Sequence, residues 1–296
     1  MDGCEASAAS DAAANDAAEL PYAIVRGGAG APKSPLIFAS PHSGRLYPAE
    51  MMAASALNAA QIRRSEDAFV DELIDGAADH GAAILVNRYA RAFVDVNREP
   101  YELDPAMFED ELPAFAVART ARVAAGLGAI ARIVADGQEI YTRKLTFAEA
   151  RARIEAVHRP YHAALAGLIA ETKAVFGQAV IVDWHSMPSA AGRSGPGRGV
   201  DMVLGDRFGQ SCGGAVVELV EQTLRGQGYR VARNNPYAGG FTTEHYGRPA
   251  DGVHALQVEI DRSLYLDEAT LLAHEGFGRL KADLDAVFAA LAAHAG

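Results

Sequence analysis

Three short strings carry the side chains best suited to chemistry: Asp183-Trp184-His185-Ser186, Pro41-His42-Ser43-Gly44 and Asp95-Val96-Asn97-Arg98. Imidazole nitrogen and carboxylate oxygen are donors that zinc and similar ions accept, so two histidines brought together suit a metal centre. A catalytic zinc keeps three protein ligands and leaves one position for water. The third ligand belongs among the carboxylates, and spacing alone does not say which. Asp183, two residues before His185, is expected to point away from an ion that His185 binds and to orient a ligand from behind it.

Elements that read as strands must place these strings. The apolar runs 179–182 and 36–40 are expected to be strands buried on both faces. Residues 91–98 alternate in polarity and read as a further strand, carrying Arg91 upstream of Asn97 and Arg98. Open α/β sheets bind ligands at the carboxyl ends of their strands, where the three strings would meet. Other strands are expected at 21–25, 82–86, 202–204, 229–232 and 255–260. Helices are expected over 61–78 (with Asp67 near its first turns), 147–176, 215–224 and 271–293. Pro160 is expected to kink or interrupt the second of these. Residues 101–137, rich in Pro, Ala and Gly, read as a loop insertion. Strands and helices alternate without a repeat or linker. This implies one α/β domain over 21–296, preceded by an acidic arm over 1–20 expected to be disordered.

Composition narrows the function. A formal net charge of −11 argues against nucleic acid as a partner, although arginines gathered locally still make a positive pocket. Two cysteines, Cys4 and Cys212, exclude a disulfide framework and a cysteine-rich zinc cluster and fit a reducing compartment. No apolar run reaches the length of a membrane span, and the N-terminus lacks the features of a signal peptide, so the expected location is the cytoplasm. Segment 27–34 faintly resembles a phosphate-binding loop. Pro32 precedes Lys33 where glycine is needed, and a strand follows instead of a helix, so nucleotide binding is rejected. His158, His162, His245 and His254 read as structural, 193–199 as a mobile loop, and Asp95 with Arg98 also reads as a simple ion pair.

Six strings in matching order resemble the N-formylglutamate amidohydrolase family over about 40–267: Pro41-His42-Ser43-Gly44; Glu66-Asp67 with Val70-Asp71-Glu72-Leu73; 91–98; 183–188; Asn235-Pro236-Tyr237; and Gln257-Val258-Glu259-Ile260. That family is distantly similar to zinc carboxypeptidases and aspartoacylases. The resemblance implies a central mixed, mostly parallel sheet flanked by helices, with one divalent metal, zinc, at the strand ends. His42 and His185 would be ligands. Carboxypeptidases place a glutamate three residues after their first histidine, where this chain has Arg45. Asp67 is the expected replacement, with Glu66 its rival, and on a helix the two would face different directions. Asn97 and Arg98 resemble the pair that holds a substrate carboxylate, a task suited to the planar guanidinium fork. Arg143 is expected at a second substrate carboxylate. Arg91 would polarise the scissile carbonyl, and Glu259 would act as general base and acid.

The activity so implied is hydrolysis of the formyl amide of a small N-acyl amino acid. N-formyl-L-glutamate would give formate and L-glutamate, a step of histidine degradation. The ion would lower the pKa of its water toward about 7. Rival readings are a deacylase of another N-acyl amino acid or formyl peptide, and a metal-free amino-acid-binding relative. A serine hydrolase built on Ser186 or Ser43 is disfavoured, because neither sits in a Gly-x-Ser-x-Gly elbow.

Overall fold

Burial on both faces shapes the centre of the molecule, as the apolar runs require. In the computed structural model the strands are β1 (Tyr22–Val25), β2 (Leu36–Ser40), β3 (Ala83–Asn87), β4 (Ala179–Met187), β5 (Met202–Gly205), β6 (Val231–Arg233) and β7 (Val253–Asp261). They form one sheet in the order β1-β3-β2-β4-β7-β5-β6. The inner pairings of β2 with β3 and β4, and of β4 with β7, are parallel, while β1 and β5 run antiparallel to their neighbours β3 and β7. The structure describes residues 20–295 except 29, 31, 135–136 and 194–198. The expected acidic arm, apart from Leu20, and most of the expected loop over 193–199 lie outside the described residues.

A side-chain period of two divides the core into two layers. Phe38, Val180, Val182 and Trp184 pack on one face beneath the helices Gly214–Gly226 and Gly276–Ala295. There Phe38 lies 5.5 Å from Trp184 and 5.1 Å from Phe288, ring centroid to centroid. Ile37, Ala179 and Ile181 point to the other face, beneath the helices Phe147–Arg153 and Arg159–Phe176. Asp183 and His185 continue that second row toward the carboxyl end of β4. They therefore share one face, contrary to the expectation that Asp183 points away.

Local patterning yields to long-range contacts in three places. Residues 61–78 are not one helix. Short turns at Ala59–Ile62 and Val70–Leu73 flank a break in which Phe69 takes φ 63°. The Asp67 amide donates to the His42 carbonyl (3.0 Å), and the Tyr265 hydroxyl donates to that of Ala68 (2.9 Å), holding Asp67 outside any helix. Residues 91–98 form turns rather than a strand, with the amides of Phe93 and Val94 both returning to Ala90. The last helix starts at Gly276, because Leu272–Ala273 pairs with Leu266–Asp267. Before Pro160 the chain makes a π turn over Ile154–His158, and the following helix begins with that proline in its first turn.

In its described residues the insertion over 101–137 is irregular but well packed. It buries Leu103, Met107, Phe108 and Ile130 against the second face of the sheet, and Thr120 caps its helical turn Ala121–Ala124. His158 and His162 support the chain that leads into it, donating to the carbonyls of Arg98 (2.9 Å) and Val96 (2.7 Å). The other ring nitrogen of His162 accepts from the Tyr246 hydroxyl at 2.9 Å. Burial, reinforced by the adjacent His158, pushes His162 down to about 3. The unfolded chain would protonate this ring near 6.5, so between about pH 6.5 and 3 it binds a proton that the folded chain refuses. Stability is lost as pH falls through that window, by up to about 1.4 kcal/mol per unit from this residue. Denaturant unfolding of His162→Gln against wild type at pH 4–7 should show a shallower acid slope in the variant. Equal slopes would remove His162 from acid sensitivity.

Candidate metal centre and active site

The parallel register of β2, β4 and β7 brings their carboxyl ends to one edge, and the reactive side chains gather there. His185 lies opposite Glu259 across the β4–β7 ladder, and Asp183 lies opposite Gln257. His42 follows the end of β2. Asp67 enters from the break described above. His42, Asp67, His185 and Glu259 are all buried, yet each lines a cavity of about 720 Å³.

His42, Asp67 and His185 form a nearly equilateral triangle of donor atoms. The two Nδ1 atoms are 3.0 Å apart, and Asp67 Oδ2 lies 3.3 Å from that of His42 and 3.1 Å from that of His185. Three donor atoms around a tetrahedral ion with bonds of about 2.0–2.1 Å lie about 3.3 Å from one another. The opposite ring nitrogens, both Nε2, face carboxylates: that of His42 reaches Asp95 Oδ1 at 2.7 Å, and that of His185 reaches Asp183 Oδ2 at 3.0 Å. A proton on each Nε2 leaves both Nδ1 lone pairs converging with a carboxylate oxygen. This convergence of acceptors fits a divalent cation. Among the described residues, these three are the group that meets the requirements of a metal site.

The acid in the triangle is Asp67. Its Oδ1 accepts from Arg262 Nη2 (3.0 Å) and lies 3.3 Å from Ser186 Oγ, which leaves Oδ2 for the imidazoles. Burial alone would raise this carboxyl, but the two histidines outweigh it and hold it well below the usual range. Glu66 points the other way, as neighbours on an extended segment do. It is fully buried between the Tyr47 hydroxyl (2.7 Å) and Arg63 Nε (3.1 Å). Arg45 lies outside the cavity, paired with Asp71 and Glu72.

The remaining expected residues divide in position. Glu259 Oε1 accepts from Gln257 Nε2 at 2.8 Å. Burial, with the Asp67 charge added and with His185, Arg91 and Arg262 opposing, pushes its carboxyl up to about 7. Arg91 lines the cavity and donates to Asp95 Oδ2 at 2.8 Å. Arg98 also lines it, donating to the backbone carbonyls of Leu127 (3.0 Å) and Asn97 (2.9 Å). Asn97 is held on both sides of its amide. Its Nδ2 donates to Asp183 Oδ2 (3.0 Å) and its Oδ1 accepts from the Thr242 amide (2.8 Å), so the amide braces the carboxylate behind His185. Arg143 is a correction: it is exposed, bonded to Glu149 at 2.6 Å, and absent from the cavity wall. Glu149 belongs to the capping box of the helix Phe147–Arg153 and fixes Arg143 there.

Four residues carry more than their sequence context suggested. Asp95, which also read as a simple ion pair, supports His42; burial would raise it, but His42, Arg91 and Arg98 keep it well below the usual range. Arg262 orients Asp67, Gln257 orients Glu259, and Tyr237 adds its ring to the cavity wall. Asp95 sits inside a string singled out above, and Gln257 inside another. Arg262 had no signal beyond following the last strand, since its partners are distant in sequence.

Comparison with known proteins places the chain in a family. Residues 34–266 match the family model described as N-formylglutamate amidohydrolase. The N-formylglutamate deformylase of Pseudomonas aeruginosa is 33% identical over 244 residues, covering 81% of this chain and 85% of that protein. The enzyme of the same name from Pseudomonas putida is 30% identical over 79% of this chain and 82% of its own length. A crystal structure of N-formylglutamate amidohydrolase from Ralstonia eutropha superposes with a TM-score of 0.88 at 36% identity, covering 94% of this chain and 99% of that one. A gene product of Agrobacterium tumefaciens shares the fold at 17% identity, with a TM-score of 0.62.

Proposed function

Since the chain belongs to the N-formylglutamate amidohydrolase family and is an amidohydrolase, we propose that it hydrolyses N-formyl-L-glutamate to formate and L-glutamate, with zinc or a similar divalent ion held by His42, Asp67 and His185. The observation that carries this reading is the donor triangle beside Glu259, inside a cavity lined by six arginines and three carboxylates although the whole chain is acidic. Such a cavity draws in an anionic substrate.

A bound divalent ion would supply a Lewis acid and a lowered pKa for water at its open position. The protein's own groups do the rest. Glu259 takes a proton from the attacking water as oxygen bonds to the formyl carbon. Arg91, beside Asp95, donates to the oxygen on which negative charge develops. As the C–N bond breaks, Glu259 passes its proton to the departing nitrogen, giving formate and a free amine. Arg98 holds the substrate α-carboxylate, and Asn97 with Asp183 keeps the His185 ring in place.

Purified protein should release formate and glutamate in equal amounts from N-formyl-L-glutamate, contain one divalent ion per chain, and lose activity to a chelator. Turnover of N-acetyl-L-aspartate or N-formyl-L-methionine in preference would move the activity to another acyl amino acid. Protein without a stoichiometric metal that binds substrate without turnover would be a binding relative.

A further inference from the structure

A substrate with two carboxylates needs two cationic sites, and the removal of Arg143 from the cavity leaves the second one unassigned. The arginines on the cavity wall are not equally committed. Arg91 is bonded to Asp95 and Arg262 to Asp67, both buried carboxylates. Arg122 is held loosely, by a 3.4 Å bond from Nη2 to the Gly239 carbonyl and by Glu102 at 3.9 Å. Arg207 pairs at 3.1 Å with Glu244, whose side chain is 53% exposed, and such rim pairs contribute little.

Arg122 and Arg207 converge on one residue from different loops. Arg122 comes from the insertion over 101–137 and bonds the Gly239 carbonyl. Arg207 follows β5, its amide donates to the Ala238 carbonyl (2.9 Å), and its Cγ stands 3.1 Å from where a Cβ on Gly239 would lie. Gly239 has φ +131°, a conformation that excludes most side chains. The next residue, Gly240, packs against Asn97 beside Arg98. Arg98 also registers Arg122: burial, with the like charges of Arg91 and Arg122, lowers its affinity for its proton while Asp95 opposes. Three cations therefore surround the Gly239-Gly240 wall.

The backbone at Arg207 is strained. Arg207 and Phe208 take φ 52° and 58°, left-handed values unfavourable for both residues. Asn234 Oδ1 locks the turn by accepting from the amides of Asp206 (3.1 Å) and Phe208 (3.3 Å). Phe208 is 77% exposed, so no burial offsets the strain. What the turn achieves is the placement of Arg207 in the cavity wall, the kind of location where such strain concentrates.

We propose that Arg122 and Arg207 form a second carboxylate site that takes the distal carboxylate of the N-formylglutamyl group, while Arg98 takes its α-carboxylate. This rests on the substrate reading above and assigns to the insertion over 101–137 a role in side-chain specificity. N-formyl-L-glutamine is nearly the same size but lacks the distal charge, so comparing it with N-formyl-L-glutamate isolates this site.

Steady-state kinetics on both substrates for wild type, Arg122→Gln, Arg207→Gln and Arg122→Lys tests it. Wild type should prefer the glutamate substrate. Each glutamine variant should lower kcat/KM on that substrate by about 10–100-fold, the size of a charged hydrogen bond, mainly through KM, and the preference over N-formyl-L-glutamine should shrink by a similar factor. Arg122→Lys should recover part of it. Equal losses on both substrates, or an unchanged preference, would overturn the assignment. A wild type that cleaves both equally would sink this inference and leave deformylation standing. A wild type that cleaves neither would sink the substrate reading, and this inference with it.

Discussion

Glu259→Gln is expected to lower kcat on N-formyl-L-glutamate by about 10²–10⁴-fold, the usual contribution of a positioned general base and acid, and to leave the content of bound divalent ion unchanged. Glu259 is on β7, in register with His185, yet it is not part of the donor triangle. Its side chain is aimed by Gln257 and is the same size as the glutamine that would replace it. The variant keeps shape and loses only the capacity to take and return a proton. Metal analysis beside turnover separates the outcomes. Full activity would remove Glu259 from the reaction, while loss of the ion would make it a ligand.

The second large effect concerns the choice between two adjacent acids. Asp67→Asn should release the ion, with a drop in affinity beyond the roughly 10–100-fold typical of losing a group that merely supports a ligand, and activity should fall with it. Glu66→Gln should keep the ion and instead lower stability by about 1–3 kcal/mol, because a buried carboxylate that accepts from Tyr47 and Arg63 is replaced by a neutral amide. Metal content and thermal melts of the two proteins check both halves. The reverse pattern would assign the ligand to Glu66. The extended backbone at Glu66 (ψ 143°) sets the expectation by turning the two side chains opposite ways.

The pairing of His42 with Asp95 and of His185 with Asp183 shows how much of the centre was legible in the chain. Both histidines sit at the ends of apolar runs, and a buried strand delivers its first polar residues to the sheet's carboxyl edge whatever surrounds it. That Asp183 lies against the His185 ring was less legible, because the strand period aims it the same way as His185 and not away from it. Asp95 was harder to read, because the segment 91–98 alternates like a strand yet folds as turns, and only contact with His42 across the site separates a carboxylate that fixes an imidazole from an ordinary ion pair.

Taken alone, the sequence determined the alternation of strands and helices, the placement of the two histidines and of Glu259 toward one edge of the sheet, and the acidic background against which a cluster of arginines stands out. These depend on local periodicity and on residue type. Tertiary structure decided which acid completes the triangle, that Asn97 braces the site, that Arg143 stays with Glu149, and that Arg122 and Arg207 meet at Gly239. Each of those depends on partners far apart in the chain, or on a backbone break such as that at Phe69. Local propensity carries no information about such distances, because packing across the sheet edge sets them.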